Sequence, residues 1–136
     1  MPPTDKTVRV LVVDDNRDGA DALGLLLEAL GNHVHVTYGG TTALEVADAF
    51  HPDLMLVDLV MPDMDGCRLV VRIRQIPAFA QTRIVAMTGH KSEEHKALAI
   101  KAGFDEVLFK PVALREIKAA LASVVVGDAG QLQIRA

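Results

Sequence analysis

Four places along this 136-residue chain put a polar group where a run of apolar residues stops. Asp14-Asp15 follow Val8–Val13, Asp58 follows Leu54–Val57, Thr88 follows Ile84–Met87, and Lys110 follows Val107–Phe109. Leu54, Met55, Leu56 and Val57 cannot bind anything polar, so any chemistry there starts at Asp58. Taken alone, a strand-end acid has a plainer reading as the cap of the loop that follows. Recurrence at four strand ends argues for a site. Three carboxylates held together repel and raise one another's pKa unless a cation sits among them. A hard divalent ion with oxygen ligands and retained waters fits that need, and Mg²⁺ is the default choice. Lys110 adds a point charge and Thr88 a hydroxyl donor. Such a pocket suits phosphoryl transfer, in which cations neutralise the phosphoryl oxygens while a carboxylate attacks in line.

The elements that must position these groups read directly from the periodicity. Val8–Val13 is β-branched and almost continuous, as in a strand covered on both faces. A helix follows to Leu30, with Ala20, Leu23, Leu27 and Leu30 on one face, capped by Asp15 or Asn16 and ended by Gly31. His33–Thr37 alternates and reads as an edge strand with one wetter face. After the Gly39-Gly40 turn, Thr41 is the expected cap of a helix to Phe50, which Pro52 stops. The central strand ends at Asp58, and a loop of Pro62, Asp63, Asp65 and Gly66 leads to a helix carrying Leu69, Val70 and Ile73 that fades near Gln75. Arg83–Met87 is the fourth strand. Ser92 caps the next helix, with Glu93 and Glu94 in its first turn and Ala97, Ile100 and Ala102 as its expected core set, and Gly103 ends it. Glu106–Phe109 is the fifth strand, and Leu114, Ile117, Leu121 and Val124 mark the last helix. Five alternations of strand and helix with short connections predict an α/β, doubly wound, five-stranded parallel sheet with helices on both faces. All strand carboxyl ends then share one rim.

Composition narrows the classes. The length suits one domain, and a hydrophobic content of 50% supplies a core without disulfides. A net charge of −4 with scattered Lys and Arg argues against a nucleic-acid surface. The single cysteine, Cys67, excludes an intrachain disulfide and suits a reducing cytoplasm. The first residues lack the features of a signal peptide, and no apolar stretch is long enough to span a bilayer. The expectation is a cytoplasmic domain without membrane contact, divided into a disordered lead at 1–7, a domain at 8–126 and a short tail at 127–136.

Together the acid pair Asp14-Asp15, Asp58 with Met61-Pro62-Asp-Met-Asp-Gly66, Thr88 and Lys110-Pro111 resemble the receiver domains of two-component response regulators, the CheY-like group. The resemblance runs from about Val8 to Val125. It implies a flavodoxin-like sheet of order 2-1-3-4-5 with five helices. It implies that Asp58 accepts a phosphoryl group from a histidine kinase or a histidine phosphotransfer protein. Mg²⁺ would be held by Asp15, Asp58 and the Val60 carbonyl, with Asp14 acting through water. Lys110 would pair with Asp58 and then with the phosphoryl group, Thr88 would swing to bond that group, and the Lys110–Pro111 peptide would be cis.

Departures from the family pattern carry their own expectations. Receivers often have an aromatic switch residue three before the lysine. Here that position is Val107, which has no ring to swing, so output is expected to run through the loop Thr88–Lys91 and the fourth helix. Gly89 leaves the phosphoryl site open to the donor. Val60 and His90 flank the site and tune hydrolysis; an apolar Val60 cannot orient a water, which favours a slow reaction unless His90 does so. His33 and His35 share a strand face without a third ligand at metal spacing, so they read as surface. Cys67 reads as packing, and Asp63 and Asp65 as turn residues. Val112, Val125 and Val126 could leave apolar surface for a partner or dimer.

The leading reading is therefore a phospho-acceptor signalling module rather than an enzyme, acting through protein contacts on an unknown downstream target as a monomer or weak dimer. The initiating Met and short tail favour a free-standing protein; a receiver from a hybrid kinase or a phosphorelay intermediate are the alternatives. An Asp-nucleophile phosphatase would need a second acid two residues after the nucleophile, and Val60 stands there instead. A scaffold that is never phosphorylated is the third class.

Overall fold

The computed structural model describes residues 7–124. The first six residues of the expected lead, the domain end at 125–126 with Val125 and Val126, and the expected tail lie outside the described residues.

Five strands, β1 (Arg9–Val13), β2 (His33–Thr37), β3 (Leu54–Asp58), β4 (Arg83–Thr88) and β5 (Glu106–Phe109), form one sheet in the order β2-β1-β3-β4-β5. Every pairing is parallel, with Val12 opposite Val36 on one side and Leu56 on the other, Asp58 opposite Met87, and Thr88 opposite Phe109. This is the order the family resemblance implied. All five residues of β3 are buried, as its unbroken apolar run requires of a central strand, whereas β2 at the edge alternates exposed and half-buried residues from His33 to Val36 before a buried Thr37.

Because side chains alternate along a strand, the sheet serves two cores. Leu11, Val13, Met55, Val57, Ile84, Ala86 and Val107 face α2 (Gly40–Phe50), α3 (Gly66–Arg74) and α4 (Glu93–Ala102). Val10, Val12, Leu54, Leu56, Val85, Met87 and Leu108 face α1 (Arg17–Ala29) and α5 (Leu114–Ala122). Helix α3 seats Leu69, Val70 and Ile73 at no more than 1% exposure, and burying each contributes about 1.5–3 kcal/mol. A single 3-10 turn at Pro77–Phe79 follows α3, where proline ends the helical register and Phe79 returns to the core.

Two local expectations are overturned. In α4 the fully buried residue is Ala99; Ala97 is exposed, Ile100 is 44% exposed, Leu98 is 57% exposed, and Ala102 is only half-buried. The helix meets the sheet along a narrow stripe through Ala99, continued by Phe104 beyond Gly103, so Leu98 and Ile100 flank that stripe and face outward. Thr41 does not cap α2: the N-cap position is Gly39, which offers no side chain, and the free N–H groups of Gly40 and Thr41 donate to Asp63. At α1 and α4 the capping follows the sequence. Asn16 accepts from the Gly19 N–H at the start of α1, Ser92 from the His95 N–H at the start of α4, and Gly103 ends α4 at φ 132°, a conformation open to glycine.

Candidate functional site

The parallel sheet brings Asp14, Asp15, Asp58, Thr88 and Lys110 to one rim because each follows, or closes, a strand that runs the same way. One carboxylate oxygen from each of Asp14, Asp15 and Asp58 lies within 4.8 Å of the other two. Asp14 and Asp58 are buried while Asp15 is exposed, so the cluster has a dry floor and one wet side. The Lys110 ammonium donates to Asp14 Oδ2 at 2.9 Å and stands 3.7 Å from Asp58 Oδ2. It therefore gives its hydrogen bond to Asp14 while keeping the ion pair with Asp58 that the resemblance implied. Asp14 is held on its other side by the Asn16 N–H at 3.0 Å, and the Val60 N–H donates to Asp58 Oδ1 at 3.4 Å.

Burial pushes the Asp58 carboxyl up to about 6; Lys110 and the Val60 N–H pull it down, and the neighbouring Asp14 charge pushes it up again. Three carboxylates against one ammonium leave negative charge uncompensated. An all-oxygen donor set with one water-facing member fits a hard divalent cation such as Mg²⁺.

Thr88 is 2% exposed at the end of β4, where its hydroxyl accepts the His90 N–H at 3.0 Å. The Lys110 N–H bonds the Thr88 carbonyl at 2.8 Å, tying the two strand ends together, and the Lys110–Pro111 peptide is cis. A Cβ built on Gly89 would meet no atom within 4 Å, so this edge of the site is open. The His90 ring stacks on His95 of α4 at 5.1 Å between centroids, which couples the loop to that helix. Val60 stands at the rim, 61% exposed. Val107 lies on β5 opposite Ala86, away from solvent at 7% exposure. His33 and His35 are exposed on β2, and Cys67 is half-buried against the α2–α4 core. Val112 packs, half-buried, against the α1–α5 core.

The loop after Asp58 holds more structure than its turn residues suggested. Met61 and Met64 are buried at 6% and 9% exposure and pin the loop to the core. Asp63 accepts from Gly40 and Thr41, bonds that hold its carboxyl below the ordinary carboxylate value. Asp65 caps α3 by accepting from the Arg68 N–H at 2.8 Å. Gly66 is required for closeness rather than for an unusual φ: a Cβ there would come within 2.6 Å of the Asp58 carbonyl oxygen. Asp-Gly before a helix is the signal that would have separated the Asp65 cap from the plain turn residue expected there, whereas the partners of Asp63 are 22 or more residues upstream.

Residues 10–122 match the family model of the response regulator receiver domain. The chain is 37% identical over 115 residues to the signal transduction histidine-protein kinase BarA of Escherichia coli, covering 82% of this chain and 12% of that kinase. It is 36% identical over 127 residues to the sensor histidine kinase RcsC of Escherichia coli, covering 89% of this chain and 13% of that kinase. It thus spans about an eighth of the length of either kinase. Among solved structures, the chemotaxis response regulator CheY4 of Vibrio cholerae superposes with a TM-score of 0.80 at 26% identity, covering 86% of this chain and 98% of that one. Among the described residues no helix is long and apolar enough to cross a membrane.

Proposed function

This chain belongs to the response regulator receiver domain family, and on that premise we propose that it receives a phosphoryl group on Asp58 from a histidine kinase or a histidine phosphotransfer protein. The observation that carries the proposal is the juxtaposition of Asp58 with Asp14, Asp15 and Lys110 at one strand rim. An ionised Asp58 oxygen attacks phosphorus, the bond from phosphorus to the donor's imidazole nitrogen breaks, and the imidazole leaves with the electron pair and takes a proton. Asp15, Asp58 and the Val60 carbonyl would hold Mg²⁺, with Asp14 bound through water. When bound, the ion supplies charge that offsets the phosphoryl oxygens. Lys110 moves its hydrogen bond from Asp14 towards the new phosphoryl oxygens, and the Thr88 hydroxyl turns from the His90 N–H to donate to them.

With valine at 107 there is no ring to follow Thr88, so the signal passes through Thr88–Lys91 and the stacked His90–His95 pair into α4. Gly89 leaves the donor's path open; Val60 and His90 set how readily water reaches the aspartyl phosphate, and apolar Val60 favours slow hydrolysis. The protein acts in the cytoplasm through protein contacts, as a monomer or weak dimer. Its likeness to BarA and RcsC supports a second reading, in which the same receiver is one module of a hybrid kinase.

Intact mass after incubation with acetyl phosphate tests the proposal. One phosphoryl adduct that needs Mg²⁺ and disappears in Asp58→Asn supports it; no adduct on folded protein supports the scaffold reading; steady phosphate release without an adduct supports a phosphatase.

A further inference from the structure

Strand β2 stands at one edge of the sheet, and among the described residues no strand pairs with its outer side. The His33 N–H donates to the Val8 carbonyl and the Thr37 carbonyl accepts the Asp14 N–H, so His33, His35 and Thr37 turn their backbone groups towards β1. By alternation the N–H and C=O groups of Val34 and Val36 point off the edge. Above that edge runs the outer stripe of α1. Asp21, Leu25 and Glu28 follow one another along it and, with Gly24, Val34 and Val36, line a groove of about 260 Å³. A Cβ on Gly24 would come within 2.6 Å of the Val36 side chain, so glycine lets α1 settle onto β2 and shapes the groove. Leu25, at 68% exposure, is the most exposed large apolar side chain among the described residues, and half-buried Val34 and Val36 lie across the groove from it. A row of free backbone donors and acceptors beside an apolar wall accepts one more strand.

We propose that this strand is the chain's own segment Gln131-Leu132-Gln133-Ile134-Arg135, laid parallel to β2 with Leu132 and Ile134 against Leu25. The segment alternates polar and apolar residues, the pattern of a strand with one buried face. Its one charged side chain is a cation, which suits a groove edged by Asp21 and Glu28. At the other end of the chain, Pro2 and Pro3 offer no N–H to a ladder. Topology selects the same edge. Helix α5 packs on the same face of the sheet as α1. A crossover from β5 through α5 to the outside of β2 therefore has the right-handed sense of β1-α1-β2, whereas a parallel strand beyond β5 would need the opposite hand. The length suffices. Ser123 lines a groove with Arg83 and Asp105, so α5 ends beside the starts of β4 and β5. From β4 to the slot outside β2 is four strand spacings, roughly 19 Å. The residues from Val124 to Leu132 reach about 26 Å when extended. The added strand closes the open edge and leaves the acceptor rim uncovered.

Amide hydrogen exchange on the full chain, resolved by NMR, tests this. The double variant Leu132→Asp/Ile134→Asp should speed exchange of the Val34 and Val36 amides by about tenfold or more while leaving the amides of β3 unchanged. Leu25→Asp, an exposed position on the facing side of the contact, should speed the same two amides. Val34 and Val36 amides that exchange equally in the wild type and in both variants would overturn the proposal. So would equal speeding throughout β3, which would mean that the variants loosen the whole sheet. Wild-type protection that fades on dilution of about tenfold would overturn it too, because the edge would then belong to a second copy of the chain.

Discussion

Lys110 donates to Asp14 at 2.9 Å while standing 3.7 Å from Asp58, so the cation of this site is bonded to one acid and poised beside another. The arrangement gives Lys110 two duties. It compensates the buried Asp14 charge, and it pulls down the carboxyl of Asp58, which burial pushes up to about 6. Lys110→Ala should therefore raise the Asp58 midpoint above the wild-type value in the metal-free protein. Carboxyl carbon shifts followed by NMR against pH would measure it; a lower midpoint would mean that Lys110 does not bear on Asp58.

The raised Asp58 carboxyl sets a direction for stability. Its ordinary value is 3.8 and its folded value about 6, so between those pH values the folded state binds more protons than the unfolded one. Its contribution to stability therefore falls as pH rises through that window, by about 3 kcal/mol. Asp58→Asn removes the loss. Urea unfolding without metal should find Asp58→Asn more stable than wild type by about 1–3 kcal/mol at pH 7.5, and the gap should close towards pH 4. Saturating Mg²⁺ should narrow the gap at pH 7.5, since it stabilises the wild-type cluster preferentially. A gap independent of pH would contradict the assignment.

Gly66 and Gly89 make an internal contrast. A Cβ at Gly66 would come within 2.6 Å of the Asp58 carbonyl oxygen, a backbone atom that cannot step aside cheaply, whereas one at Gly89 meets nothing within 4 Å. Gly66→Ala should cost about 1–3 kcal/mol in denaturant unfolding and slow phosphoryl acceptance by displacing the end of β3. Gly89→Ala should leave stability within about 0.5 kcal/mol of wild type.

Asp63 reaches from the loop after β3 to the first N–H groups of α2. Asp63→Ala strips that helix of its only side-chain cap and should cost about 1 kcal/mol. Amide exchange should quicken in the first turn of α2 ahead of the sheet. Unchanged exchange there would show that the cap carries no stability.

What the sequence made legible follows from the range of the interactions involved. The strands were plain because β1, β3 and β4 are buried on both faces and tolerate almost no polar residue. The rim followed from parallel topology alone. The caps at Asn16 and Ser92 were within reach because their partners are three residues away; Asp65, with a partner as near, reads from the sequence as a turn residue because it stands in a loop dense in Pro, Asp and Gly. Asp63 was read as a turn because its partners lie across the fold, and the core positions of Met61 and Met64 depend on how the loop doubles back. The misreading of α4 has another origin: a helix packed along one narrow stripe leaves Leu98 and Ile100 outside, and apolar spacing cannot tell such a helix from one more deeply seated. The preference of Lys110 for Asp14 over Asp58 is a matter of under 1 Å, which no spacing encodes.

The central claim is that the phosphoryl group settles on Asp58, and locating it on the chain tests that most directly. Protein loaded with Mg²⁺ and acetyl phosphate would be reduced with borohydride, which converts an aspartyl phosphate to homoserine, then digested and sequenced by mass spectrometry. The account predicts homoserine at position 58 and none at 14 or 15. Homoserine at Asp14 or Asp15 in the wild-type chain, or none anywhere despite a phosphoryl adduct on the intact protein, would contradict it.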